Sequence, residues 1–204
     1  MQSIEDSIII KIRAHGDGWC FTPSDFADIG SPAAVWTSLH RLARNGLIRR
    51  LAKGLYDQPK HDNRLGLLSP DPSAVASALS RGRGLRIQPT GAYAANLLGL
   101  SEQVPARVAF LTDGTPRQFH IGKQTIVLRR TTPKNMATAG HISGTVIQAL
   151  RHIGKERTTT VQRDILRRRL GPADKKQLFK DRLLAPAWMR PWIAEIAAEG
   201  KPHA

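Results

Sequence analysis

Apolar positions near the start of the chain recur at helical spacing: Ile4, Ile8, Ile9 and Ile12 form one stripe. Ser3 with Asp6 three residues on is a capping pattern, and His15-Gly16-Asp17-Gly18 ends that helix. Trp19 to Thr22 reads as a short extended piece, and residues 23–28 as a short second helix closed by Gly30. Ser31-Pro32 predicts a new helix start, with Ser as N-cap and Pro at the first helical position. Val35, Leu39 and Leu42 then sit at i, i+4 and i+7, and Asn45-Gly46 closes the helix. Residues 47–51 and 54–56 read as two strands around a turn at Ala52-Lys53. Three helices followed by a two-stranded ribbon is the order of a winged helix-turn-helix.

The pattern then changes. Residues 59–71 are polar and rich in turn formers, which predicts a linker between a domain at 1–58 and another at 72–204. The second domain divides into a mixed α/β part, 72–130, and a helical part, 131–204. Helices are expected at about 72–80 and 90–98, with a break at Arg81-Gly82-Arg83-Gly84 between them. Strands are expected at 85–88, 107–112, 118–121 and 125–130. Four further helices follow at about 141–153, 159–170, 173–184 and 187–199. Trp188, Trp192, Ile193 and Ile196 form an apolar stripe that reads as core. The expected fold class is α+β.

Charge sharpens this picture. The 204 residues carry 31 Lys+Arg against 16 Asp+Glu, a formal net charge of +15. Residues 41–64 alone hold seven basic and two acidic side chains. A balance this basic suggests a polyanionic partner. No apolar run approaches the ~18 residues of a membrane span, and the acids of the N-terminus are unlike a secretory signal. A cytoplasmic protein with no membrane partner is expected. Cys20 is alone, so no intrachain disulfide forms and no zinc-ligand spacing exists; the residue reads as a buried apolar side chain.

The helix after Ser31 carries the functional reading. Thr37, Arg41 and Arg44 each lie two residues beyond Val35, Leu39 and Leu42, about 200° round the helix. Apolar side chains then anchor one face while a Thr and two Arg face out, with Ser38 and His40 flanking them. A recognition helix needs that division to enter a major groove. Arg forks suit guanine O6 and N7 or a phosphate. Ser31 and the backbone N–H groups of the helix start suit a phosphate oxygen. Arg49, Arg50 and Lys53 fall on the ribbon, where a wing touches backbone or minor groove. In the tail, Arg167-Arg168-Arg169 reads equally as a solvated face or as a contact for a phosphate or an acidic partner.

Three stretches of the first domain, Phe21-Thr22-Pro23-Ser24-Asp25-Phe26, Leu39 to Arg50 and Ala52-Lys53-Gly54-Leu55-Tyr56, resemble the N-terminal domain of AbiEi-type antitoxins. Those antitoxins belong to type IV, or abortive-infection, toxin–antitoxin systems. Pro89 to Leu100 and Gln103-Val104-Pro105 extend the resemblance, which covers about residues 3–130. It implies a transcriptional autorepressor that binds an inverted repeat in its own promoter. It also implies a second domain that counters a toxin, typically a nucleotidyltransferase encoded beside it. Two copies on the repeat are expected, and dimerisation off DNA or only on it are both open.

Two other classes remain. One is a non-catalytic adaptor that neutralises a partner protein without reading DNA. The other is a metal-dependent nuclease or nucleotidyltransferase. Against catalysis, the Arg-Gly break lacks the Gly-Lys-Ser/Thr ending of a phosphate loop. Neither Gly-x-Ser-x-Gly nor His-Glu-x-x-His occurs. His120, His141 and His152 lack ligand spacing, and Asp113, Asp164, Asp174 and Asp181 show no short-range pairing. No enzyme activity, cofactor or metal is expected.

Overall fold

The computed structural model describes residues 3–82 and 84–198. Arg83, in the Arg-Gly break, and Glu199, the expected end of the last helix, lie outside the described residues, as do residues 1–2 and 200–204. The described residues form a mixed α+β fold with eight α-helices and three sheets. The chain divides into two compact units, residues 1–85 with 118–126, and residues 86–117 with 127–204. Among the described residues no helix is long and apolar enough to cross a membrane.

The first unit begins with α1 (Ile4–His15). Ser3 Oγ accepts from the Asp6 N–H at 3.1 Å, and the Asp6 carboxylate accepts from the Ser3 N–H at 3.3 Å. Two otherwise unpaired donors are thereby satisfied. Strand β1 (Cys20–Phe21) follows. The expected second helix is only a 3₁₀ turn, Pro23–Phe26, closed by a Thr22–Asp25 capping box. Four residues between a proline and the turn after Phe26 leave no room for an i→i+4 ladder. Helix α2 (Pro32–Arg44) has the bounds that its start and stop signals predict. Strands β2 (Arg49–Ala52) and β3 (Leu55–Asp57) complete a sheet of order β1-β3-β2, with β3 antiparallel to both neighbours. Ile8, Ile12, Phe21, Phe26, Leu39 and Tyr56 are central to the core of this unit.

The stretch read as a linker is ordered into a small hairpin, β4 (His61–Asp62) with β5 (Gly66–Leu67). The Asp62 carboxylate accepts from the backbone N–H groups of Arg64 and Leu65, at 2.8 and 2.9 Å, which shapes its turn. Helix α3 (Pro72–Arg81) belongs to the first unit, whereas the sequence pattern placed it after the linker. Arg81 ties its end to that unit. Its Nε donates to Asp25 Oδ1 at 3.0 Å and its Nη2 to the Cys20 carbonyl at 2.7 Å.

In the second unit, β6 (Ile87–Thr90) leads into α4 (Gly91–Leu97). Strand β7 (Arg107–Thr112) follows in this unit; β8 (Arg117–Ile121) falls almost wholly in the 118–126 segment of the first unit, and β9 (Gln124–Arg130) runs from that segment into residues 127–130 of the second. Strand β6 runs antiparallel to β7, with Ile87 opposite Thr112 and Thr90 opposite Ala109. Helices α5 (Ile142–Ile153), α6 (Thr160–Arg169), α7 (Pro172–Lys180) and α8 (Arg190–Ala197) form the helical part. The expected helix at 173–184 ends at Lys180 and tightens into a 3₁₀ turn, Asp181–Leu184. The last helix likewise starts as a 3₁₀ turn, Ala187–Met189, before Pro191 opens α8. Val146, Leu150, Leu166, Leu178, Ile193 and Ile196 are buried together, with Trp188 packed on them; of the tail stripe, Trp188, Ile193 and Ile196 join the core while Trp192 is half-buried.

Two features hold this unit. Gly144 of α5 lies against the Gln88 side chain, which donates to the Gly144 carbonyl at 3.3 Å. A Cβ at Gly144 would collide with that amide and come within 2.6 Å of the Thr138 carbonyl oxygen. Asp181 is the second. Burial pushes its carboxyl up, but Gln177, Ser143 and His141 beside it more than offset this and hold it below the ordinary aspartate range. Gln177 Nε2 donates to Asp181 Oδ2 at 2.8 Å, and His141 Nδ1 lies 3.0 Å from the same oxygen. The Ser143 hydroxyl is buried near this carboxylate, short of hydrogen-bond geometry with any described group.

Two outcomes are expected. Gly144→Ala should destabilise the chain by about 1–3 kcal/mol, the usual cost of overpacking, in denaturant unfolding; a wild-type midpoint would contradict the close packing. Asp181 is lowered in the folded state, so its contribution is present above its unfolded value, near 4, and is lost as pH falls through the folded value. The stability difference between wild type and Asp181→Asn should therefore shrink below about pH 4. A difference that is constant from pH 7 to pH 3 would rule this out.

Candidate nucleic-acid interface

The first unit presents α2 as a helix with one dry and one wet face. Ser31 Oγ accepts from the Ala34 N–H at 3.3 Å and Pro32 occupies the first turn, which fixes where the helix begins. Val35, Leu39 and Leu42 are each at most 1% exposed. Ala33, Trp36, Thr37, Arg41 and Arg44 are exposed, and His40 is half-buried. The outward stripe of Thr37, Arg41 and Arg44 is therefore where the 3.6-residue period puts it.

Ser38 is not outward. It is buried at 7% exposure, beside Val35, Leu39 and Leu42. Three residues on from Val35 is only about 60° of rotation short of a full turn, so Ser38 lies on the anchoring face. It is removed from the candidate contacts. Trp36 takes the place that sequence reasoning missed. Its indole is 50% exposed and stacks on the His40 ring at 5.6 Å between centroids. One signal was available: Trp36 lies between Val35 and Thr37, where the helical wheel is already turning away from the core.

The cations differ in availability. Arg41 Nη1 lies 3.4 Å from Glu5 Oε1, with the Arg41 side chain 68% exposed. A loose surface pair of this kind is worth at most about 1 kcal/mol and exchanges readily for another anion. Arg44, Arg50 and Lys53 are exposed and make no ion pair among the described residues. Lys53 sits in the β2–β3 turn, beside Gly54, whose φ of +72° favours glycine.

Arg49 is committed internally, contrary to the wing contact expected for it. Its Nε and Nη2 donate to the two oxygens of Asp57 at 3.0 and 2.6 Å, and its Nη1 donates to the Leu68 carbonyl at 3.0 Å. Asp57 is fully buried. The bond to Asp57 raises the guanidinium further above its ordinary value, against the opposing pull of burial. Arg49 and Asp57 are cross-strand partners. Strand alternation turns Arg49 inward and Arg50 outward.

Elsewhere, Arg167 of the tail run is half-buried while Arg168 and Arg169 are exposed at the end of α6. Cys20 is 1% exposed, and burial, followed by the nearby Asp57 and Asp71 carboxylates, pushes its thiol up to about 12. It is a buried apolar side chain and not a nucleophile at neutral pH. Among the described residues no three His, Cys, Asp or Glu side chains gather as a metal would require.

Comparison with known proteins gives one match. A family model described as a family of unknown function (DUF6088) covers residues 7–178, and the chain belongs to that family. No curated protein and no solved structure matches it.

Arg49→Ala should lower unfolding stability by about 3 kcal/mol, because it leaves the Asp57 carboxylate buried and unpaired. Lys53→Ala should change it by less than about 0.5 kcal/mol. Equal unfolding midpoints for the two variants would show that Arg49 has no internal role.

Proposed function

We propose that this protein is a DNA-binding antitoxin and transcriptional autorepressor, with residues 1–58 acting as a winged helix-turn-helix. The observation that carries the reading is the exposed face of α2, where Thr37, Arg41 and Arg44 stand with Trp36 while Val35, Leu39 and Leu42 are buried. In this reading α2 enters the major groove. Arg41 and Arg44 contact base edges or flanking phosphates, and the N–H groups at the Ser31 end take a phosphate oxygen. The Trp36–His40 pair offers a flat apolar edge beside them, suited to a thymine methyl or a sugar. Arg50 and Lys53 on the β2–β3 ribbon reach the backbone as a wing.

The order α1, β1, 3₁₀ turn, α2, β2, β3 with a β1-β3-β2 sheet supports the winged-helix assignment. The antitoxin role rests on the resemblance of residues 3–130 to AbiEi-type antitoxins. Under it the second domain counters a nucleotidyltransferase-like toxin, and two copies of the chain occupy an inverted repeat in the operon's own promoter. No catalysis or cofactor is part of this role, and the site of action is the cytoplasm.

The test is fluorescence anisotropy with a duplex from the region upstream of the gene. The wild-type protein should bind it with a log affinity that falls against log salt by about 0.9 for each phosphate neutralised. Arg41→Ala and Arg44→Ala should each cost about 1–3 kcal/mol and relax specificity at one position. Lys53→Ala should weaken all sequences alike. Trp36 emission should change on binding, and Trp36→Phe should abolish that change. Folded protein that ignores the duplex at low salt would end the repressor reading. Failure to restore growth when co-expressed with the product of a neighbouring nucleotidyltransferase-like gene would end the antitoxin reading.

A further inference from the structure

The second unit contains a cleft of about 690 Å³, inside the ~300–1,000 Å³ range of small-molecule sites. It lies wholly within residues 132–190. Its charged lining is of one sign: Lys134, Arg151 and Arg190, with no Asp or Glu. None of these three makes an ion pair among the described residues.

Two of the cations are held in place by neutral partners. Arg190 donates Nε to the Ala185 carbonyl at 3.2 Å and Nη2 to the Leu183 carbonyl at 3.3 Å, bonds that leave its Nη1 uncommitted. Arg151 Nη1 donates to Asn135 Oδ1 at 3.2 Å. Both guanidinium groups are thus oriented without being neutralised.

Gln148 adds a neutral donor to these cations. It is 4% exposed and lines the cleft. Its Oε1 accepts from the Thr90 hydroxyl at 3.0 Å, and no hydrogen bond among the described residues uses its Nε2. Among the described residues the buried side-chain polar atom without a partner is Ser143 Oγ, so Gln148 Nε2 is not sealed in: it keeps access to solvent and can donate to a ligand there. The strong polar groups of the cleft are therefore three cations and an open N–H donor, all asking for an anionic acceptor. The other wall is apolar, with Ile147, Leu184, Pro186 and Ala187, and it suits a flat or weakly polar ring.

We propose that this cleft binds a small phosphorylated molecule of the nucleotide class. Lys134, Arg151 and Arg190 take the phosphate oxygens, Gln148 Nε2 donates to a phosphate or sugar oxygen, and Leu184 and Pro186 cover the base. An acidic peptide is the competing macromolecular occupant. The volume, and a lining confined to three short segments, favour a compact ligand over an extended one. The proposal involves no DNA and stands independently of the repressor reading.

The experiment is isothermal titration calorimetry on the full chain at low salt. The probes are AMP, ADP, GMP, UMP, adenosine, inorganic phosphate and a hexaglutamate peptide. At least one nucleotide should bind saturably with one-to-one stoichiometry, and adenosine and inorganic phosphate each more weakly. Arg151→Ala and Gln148→Leu should each weaken that binding about tenfold or more. Lys176→Ala, which removes an exposed cation of α7 outside the cleft, should leave it unchanged. Circular dichroism confirms that each variant is folded. Any of four results overturns the proposal: no saturable nucleotide binding, binding indifferent to Arg151→Ala, inorganic phosphate as strong as every nucleotide, or saturable hexaglutamate binding with the nucleotides silent.

Discussion

A carboxylate buried in the first unit decides the layout of its basic residues. Asp57 is inaccessible to water, and a lone ionised carboxylate in that position would cost several kcal/mol. The Arg49 fork meets both of its oxygens, and the remaining Arg49 nitrogen ties the chain beyond β3 through the Leu68 carbonyl. This one side chain therefore sets the β2–β3 register and anchors the segment that leads to α3. With Arg49 turned in, the two-residue period of the strand turns Arg50 out. A cation used for structure and a cation free for a partner are thus adjacent in sequence and fixed by the same constraint.

The same division runs through the molecule. Arg81 joins α3 to Asp25 and Cys20, Arg86 pairs with Asp113, and Arg163 pairs with Asp164 and Glu195. These pairs consume acids where elements must be joined. Exposed cations without an ion pair among the described residues include Arg44 of α2, Arg50 and Lys53 of the ribbon, Lys134, Arg151 and Arg190 of the cleft, and Arg168 and Arg169 at the end of α6.

Much of the fold was legible because its elements carry local signals. The capping pairs and the Ser-Pro start placed α1 and α2, and Gly154 and Gly171 marked the divisions of the helical tail. What was hidden depended on contacts between distant residues. Helix α3 groups with the first unit, and Arg81 there reaches Asp25, 56 positions away. The stretch 59–71 looked like a linker by composition, yet Asp62 folds part of it into a hairpin. For the candidate interface, the exposed stripe of α2 followed from periodicity alone. Ser38 lies only about 60° round the helix from Val35, which carries it onto the buried face. The inward turn of Arg49 depends on the hairpin register, which sets Arg49 opposite Asp57. The cleft of the second unit was invisible, since its lining comes from three separate segments between Thr132 and Arg190.

The sealed environment of Cys20 has a practical side. The lone thiol of the chain sits on strand β1 with its side chain buried, and it holds its proton up to about pH 12. Mild oxidants and alkylating reagents have little thiolate to attack in the folded protein. A cysteine introduced on the outer face of α2 would then be the sole reactive handle. The native chain is already a suitable background for attaching a spin label or a fluorophore at one chosen place.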